Sequence, residues 1–201
     1  MKVYDISQEI LSSNVYPGDP EPEIIKLYDM NKGDLYNLSS FSMCAHNGTH
    51  IDAPSHFIKN GKTIEEIDPI KYMGMCFVAE HHGDVSGRDA LNILNKAKEI
   101  GANERILIKG EATVTLEAAE VFAENKIKLL GNESQSVGPI EAPMAVHLTL
   151  LRNEVVLLEG IVLSHIKEGK YLLSAAPLNI KGFEGSPCRA MLIELEEGIY
   201  D

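Results

Sequence analysis

Twelve residues, His46-Asn-Gly-Thr-His50-Ile-Asp52-Ala-Pro-Ser-His56-Phe57, restrict this chain more than any other stretch of it. Groups able to bind a metal or move a proton stand at positions 46, 50, 52 and 56, all even. In an extended strand the side chains of one parity share a face, so the four can be presented together. The odd positions hold Ile51, Ala53 and Phe57, which suit a core, and Gly48 leaves the polar face uncrowded. Pro54 has no N–H to give to a ladder, so the strand is expected to end near Asp52, at an edge or rim. The chain must therefore build a strand with one polar and one buried face here, and find elsewhere what completes a site.

Two histidines and an aspartate within seven residues suit Zn²⁺ or Mn²⁺, since neutral imidazole and carboxylate serve both ions. A polar strand end with surface histidines is the ordinary alternative, and a co-facial set of four argues against it. There is no HExxH motif, and Gly48 is out of place in a zincin helix. Thr49 and Ser55 are placed to orient ligands. Cys44 shares the parity of His46 and can approach the site, although a small buried side chain is its plainer reading.

The rest of the composition narrows the partners. A formal net charge of −12 opposes nucleic-acid binding, which needs clustered Lys and Arg, and disfavours anionic membranes. No apolar run approaches the roughly 18 residues that span a bilayer, and Met1-Lys-Val-Tyr-Asp-Ile-Ser is not a secretory signal. Cys44, Cys76 and Cys188 are odd in number and widely spaced, which reads as reduced thiols in a cytoplasmic protein. A single domain over residues 1–201 with a small-molecule substrate is expected.

Strands are expected over Lys2–Ser7, Glu23–Met30, Tyr36–Cys44, Met75–Glu80, Arg105–Lys109 and Ile127–Gly131, then Val155–Leu158, Tyr171–Leu178 and Cys188–Glu194. The Tyr36–Cys44 strand runs directly into the His46 stretch. Thr63 caps a short helical turn that Pro69 limits. Ala90, Ile93, Leu94, Ala97 and Ile100 fall at helical spacing before Gly101, and helices follow over Leu116–Asn125 and Ala142–Asn153. This alternation predicts a mixed α/β fold, layered in the middle and strand-rich at its ends. Gly182–Pro187 is read as a joining loop.

Three further features are open to two readings. His147 lies within a helix, and Glu159 ends an apolar strand, where a carboxylate is costly unless paired or bound to a cation. Each alone has a plain explanation, a hydrogen-bonded histidine and an Arg-paired glutamate. The polar loop Gly131–Gly138 follows a strand, where α/β proteins meet substrate groups, or it is a connector. His81-His82 precedes a Gly-Asp turn and is read as a solvated loop.

His46–Phe57 also resembles the HxGTHxDxPxHF signature of the cyclase-like metal-dependent hydrolases, which include bacterial kynurenine formamidases (arylformamidases) and isatin hydrolases. The resemblance extends to Asp5-Ile-Ser-Gln, Tyr16-Pro-Gly-Asp, the His147…Glu159 pair, Ala176-Pro-Leu178 and Gly185-Ser-Pro-Cys-Arg-Ala190. It implies a single-domain mixed α/β fold with a strand-rich core of the swivelling β/β/α type and flanking helices. It implies two divalent metals, Zn²⁺ or else Mn²⁺: His46, His50 and Asp52 hold one, and Asp52 bridges to a second held by His147 and Glu159. His56 is left as general acid/base for hydrolysis of a small amide, such as the aryl formamide N-formylkynurenine, in a homodimer or homotetramer. Hydrolysis of a cyclic amide or lactone and non-catalytic metal or ligand binding are the rival functions. Formamidases of the family often carry Trp near the substrate and Gly-x-Asp in the loop after the strand; this chain has no Trp and reads Gly131-Asn-Glu.

Overall fold

Runs of Val, Ile and Leu separated by capped helices fix the central layers. The computed structural model describes residues 1–195. Its strands are β1 (Lys2–Asp5), β2 (Glu23–Tyr28), β3 (Leu38–Ser42), β4 (His50–Asp52), β5 (Met73–Glu80), β6 (Gly83–Val85) and β7 (Arg105–Lys109). There follow β8 (Ala112–Val114), β9 (Leu129–Asn132), β10 (Val156–Glu159), β11 (Gly169–Ser174), β12 (Gly185–Pro187) and β13 (Met191–Glu194). The α-helices are α1 (Gly87–Glu99), α2 (Leu116–Glu124) and α3 (Met144–Arg152).

Nine strands form one mixed sheet in the order β1-β13-β11-β5-β7-β9-β10-β4-β12. Its centre, β5-β7-β9-β10, is parallel, as helical crossovers require. Antiparallel strands extend both sides. Side chains of one parity (Phe77, Ala79, Ile106, Ile108, Leu130, Leu157) meet α1, α2 and α3 in one core. The other parity (Cys76, Val78, Leu107, Leu129, Leu158) joins Ile51, Ala53 and Leu173 in a second core on the far face. Burial on both faces explains why these strands read as continuous apolar runs, each large side chain contributing about 1.5–3 kcal/mol.

Side-chain caps start α1 and α2, the second at the Thr115 that the sequence suggests. Ser86 Oγ accepts from Asp89 N–H, with the Asp89 carboxylate returning the bond, and Thr115 caps α2. Thr63 forms a capping box with Glu66 over a single 3₁₀ turn, Ile64–Glu66. No helix among the described residues is long and apolar enough to cross a membrane.

The structure corrects four expectations. His46 to His56 is not one strand: β4 holds only His50–Asp52, Gly48 at φ +66° turns the chain before it, and Pro54 opens a 3₁₀ turn, Pro54–His56, after it. The parity argument thus holds for His50 and Asp52 alone. Second, β3 does not feed β4; it pairs with β2 in a separate hairpin, which leaves Ile24, Ile25, Leu27 and Phe41 exposed. Third, the Gly182–Pro187 loop contains β12, which pairs with β4. Fourth, Ile100 lies past the end of α1 and is exposed.

Candidate metal centre

The site is assembled by sheet register. β4 and β10 are antiparallel, with His50 opposite Glu159 and Asp52 opposite Leu157. Leu157 faces the helical core, so His50, Asp52 and Glu159 point to that same face. From there α3 contributes His147, one turn after Pro143. The twelve positions separating His147 from Glu159 are thus the length of a helix end, a turn and a strand. His46 comes from the turn before β4, and His56 from the 3₁₀ turn after it.

Two sets of donor atoms converge. His46, His50 and Asp52 offer one ligand atom each, all within 4.8 Å of one another, and Asp52, His147 and Glu159 do the same. Asp52 belongs to both. His50, Asp52, His147 and Glu159 are at most 3% exposed. Burial of two carboxylates in one pocket is costly without cations to offset it.

Backbone contacts aim the rings. His50 Nδ1–H donates to Gly48 O (2.9 Å) and His147 Nδ1–H to Pro143 O (2.9 Å), since a carbonyl only accepts. Both tautomers therefore turn Nε2 into the cluster. His147 Nε2 lies 3.2 Å from Glu159 Oε1 and 3.7 Å from Asp52 Oδ2. His50 Nε2 lies 3.4 Å from both Asp52 Oδ1 and Glu159 Oε2, an attraction of charge without hydrogen-bond geometry. His46 Nδ1 is 2.8 Å from Asp52 Oδ1. Val137 N–H donates to Glu159 Oε1 at 2.7 Å.

This donor set fits divalent metal. His46 Nε2, His50 Nε2 and Asp52 Oδ2 are buried and have no hydrogen-bond partner, a costly state for polar atoms. Unpartnered buried nitrogens and a carboxylate oxygen on residues of the two donor sets suit Zn²⁺ or Mn²⁺ coordination.

The charges are mutually stabilising. Burial opposes the His50 imidazolium, yet Asp52 and Glu159 overcome it and raise its pKa to about 10. His147 is raised in the same way, against burial, chiefly by Glu159. The histidines in turn outweigh burial at Asp52 and Glu159 and hold both carboxyls below their ordinary values.

His56 stands apart. It belongs to neither donor set. Its ring stacks on His46, with centroids 4.0 Å apart and planes at 26°, and Phe57 abuts it edge-on at 4.4 Å. Burial lowers its pKa, only partly countered by Asp52, so the imidazole is neutral at pH 7.

A cavity of about 290 Å³ opens onto these groups. Phe57, Tyr16 and Pro143 line it, together with Gln135 and Ser136 of the loop that the sequence left open. Sequence reasoning missed several contributors. Asp19 and Glu184 line the cavity, and Gly185 packs against His46. Their only signals were the Tyr16-Pro-Gly-Asp turn and the Gly182–Pro187 stretch, neither with metal spacing. Cys44 lines the cavity half-buried, its S–H donating to Asp19 Oδ2 at 3.4 Å. All three cysteines are free. Thr49 does not orient a ligand side chain: its Oγ1 donates to Gly160 O at 2.6 Å, tying the start of β4 to the residue after Glu159. Ser55 Oγ is buried and has no partner. His81 and His82 lie outside both donor sets, His81 Nε2 meeting Asp84 O.

The chain is similar to known proteins in sequence and in fold. The family model described as "Putative cyclase" matches residues 4–139. The chain is 31% identical to the kynurenine formamidase of Erythrobacter litoralis, over 98% of this chain and 95% of that one. Its structure is similar to that of a potential metal-dependent hydrolase with cyclase activity, with TM-score 0.79, 26% identity and coverage of 97% and 98%. Isatin hydrolase A from Labrenzia aggregata, bound to benzyl benzoate, shares the fold with TM-score 0.80 at 20% identity, over 97% and 94%.

Proposed function

The chain belongs to the cyclase family and is a metal-dependent hydrolase of C–N bonds, and from that premise we propose that it cleaves a small aryl formamide of the N-formylkynurenine type. The observation that carries the proposal is the pair of donor sets sharing Asp52, with a third imidazole, His56, beside them and in neither.

In this reading His46, His50 and Asp52 hold one divalent ion, and Asp52, His147 and Glu159 hold a second; Zn²⁺ suits both sets, and Mn²⁺ is the other candidate. When bound, such ions lower the pKa of a coordinated water and polarise the scissile carbonyl. The chain's own residues do the rest. Phe57 and Tyr16 provide an apolar wall for an aromatic ring. His56, neutral at pH 7 and fixed by stacking on His46, takes a proton as the attack proceeds and returns it to the departing nitrogen. Glu159 keeps its ligand atoms in place because Val137 N–H fixes Oε1. The products are an arylamine and formate, and no covalent enzyme intermediate is needed.

Elemental analysis of the purified protein, followed by assays with N-formylkynurenine, formanilide and isatin, tests the proposal. Turnover of the formamides by metal-replete protein is expected. Cleavage of isatin alone would transfer the assignment to cyclic amides, and cleavage of none would overturn it.

A further inference from the structure

His46 faces a carboxylate through each of its ring nitrogens. Nδ1 lies 2.8 Å from Asp52 Oδ1, inside the cluster, and Nε2 lies 3.6 Å from Oε1 of Glu184, a residue of the cavity wall. This orientation is the reverse of that of His50 and His147, whose Nδ1–H groups donate to carbonyls and whose Nε2 atoms face the cluster.

Spacing inside the cluster selects Nδ1 as the ligand atom of His46. Zinc bonds of about 2.0–2.1 Å in a tetrahedron set neighbouring donors about 3.3 Å apart. Asp52 Oδ1 stands 2.8 Å from His46 Nδ1 and 3.4 Å from His50 Nε2, close to that spacing, while Asp52 Oδ2 is 3.7 Å from His147 Nε2. A neutral imidazole bound through Nδ1 carries its one proton on Nε2. In His46 that atom is buried and has no hydrogen-bond partner, and at 3.6 Å Glu184 is a neighbour short of bonding. The Glu184 side chain is 45% exposed and so free to turn, and a small turn makes Oε1 the acceptor.

Backbone holds both partners in place. Phe183 O accepts from Ile64 N–H and Glu184 O from Ala53 N–H, each at 2.8 Å, and Gly185 pairs with Asp52 of β4. Gly185 packs on the His46 ring and His56 stacks on it, so the ring is restrained as well. Charge points the same way. Asp52 and Glu159 are the only carboxylates of the two donor sets, and neutral His46, His50, His56 and His147 add no charge. Two divalent ions would leave such a site net positive, and a carboxylate beside His46 offsets part of that. Asp19, also on the cavity wall, accepts from Cys44 S–H instead.

Resting on the reading of His46, His50 and Asp52 as ligands of one ion, we infer that Glu184 is a positioning residue: it takes the Nε2–H of His46, so that this ring binds metal through Nδ1 while His50 and His147 bind through Nε2. Glu184 acts through the ring alone. An acceptor for the remaining ring N–H fixes the tautomer and strengthens the nitrogen that binds.

The test uses the Zn²⁺-loaded protein, isotope-labelled at nitrogen. Long-range proton–nitrogen spectra distinguish a metal-bound ring nitrogen from a protonated one. The expected pattern is His46 protonated at Nε2, and His50 and His147 protonated at Nδ1. Competition with a chelator then gives Zn²⁺ affinity without reference to turnover. Glu184→Ala should weaken binding of one ion about tenfold and leave the other within about twofold. Glu184→Gln keeps an acceptor without its charge, and should weaken the same ion about threefold. His46 protonated at Nδ1 in the loaded protein, or unchanged affinity in Glu184→Ala, overturns the inference. So does an equal loss for both ions together with a lower urea midpoint of the metal-free protein, which would make the role of Glu184 structural. Each of these outcomes leaves His46, His50 and Asp52 standing as ligands. His46→Ala binding both ions as tightly as the wild type would remove the ligand reading itself, and the inference with it.

Discussion

Gly185 lies flat against the His46 ring: a β-carbon built on it would stand 2.5 Å from Cε1 and 2.9 Å from Nε2. The contact couples β12 to a proposed metal ligand, since β12 pairs with β4 through Gly185 and Asp52. Gly185→Ala has no backbone penalty from positive φ, so its cost falls on the ring, which must move by several tenths of an ångström. We expect at least a tenfold loss of metal affinity with the fold retained, because displaced ligands weaken metal sites by 10- to 100-fold. Titration with Zn²⁺ alongside circular dichroism checks both halves. Unchanged affinity would show that His46 does not ligate.

His56 and Asp52 should fail in different ways. His56→Ala removes a ring that is in neither donor set, so metal content should be kept while kcat falls by about 10²–10⁴. Asp52→Ala removes the carboxylate common to both sets, so metal should be lost as well as turnover. Metal analysis and steady-state kinetics on the two variants separate the roles. Wild-type turnover in His56→Ala would end its assignment as acid/base.

What the sequence revealed of this site depended on local spacing. His50 and Asp52 were legible because β4 has a period of two, and their parity survives in the structure. His46 and His56 were brought to the same place for another reason, the turn at Gly48 and the 3₁₀ turn at Pro54, which one extended strand would not contain. Glu159 was suspect as a carboxylate ending an apolar strand, but its partner was set by β4–β10 register, a long-range pairing that no window of sequence contains. The same limit hid β12: three residues, Gly-Ser-Pro, have little strand propensity and extend only because β4 offers an open edge. The central strands and helices were legible throughout, since burial on two faces and helix caps are local signals.

Arg105 should matter to stability and not to chemistry. Its side chain is 1% exposed, and the guanidinium donates to Lys71 O (3.0 Å), Met75 O (3.1 Å) and Ile70 O, with Glu104 as counter-ion at 3.2 Å. Gly74 backs directly onto it. Arg105→Met leaves these carbonyls buried without donors, and a loss of about 3 kcal/mol is expected. Arg105→Lys should recover little of it, because one ammonium cannot span the fork. Urea unfolding gives the difference, and metal content should be unchanged.

Metal uptake should release protons, and pH should act oppositely on the empty and the loaded protein. Without metal, His50 keeps its proton up to about pH 10, held by Asp52 and Glu159. Its folded-state pKa is raised, so its contribution to stability is fully present below the unfolded value of 6.5 and is lost as pH rises through about 10. Asp52 has a depressed pKa, so its contribution is present above the ordinary 3.8 and lost as pH falls through the lower folded value. The metal-free protein is therefore expected to be most stable between about pH 4 and 6.5 and to weaken towards pH 9. A metal must displace the His50 proton, and the His147 proton, which is also held more tightly than usual, so its affinity rises over that same window. Thermal melts at pH 6 and pH 9 with and without Zn²⁺ should show the metal-induced rise in Tm growing with pH. Calorimetry in buffers of different ionisation enthalpy should detect about one proton released per displaced imidazolium. A metal-induced rise that shrank with pH would mean that the imidazoles of His50 and His147 are not the groups the metal engages.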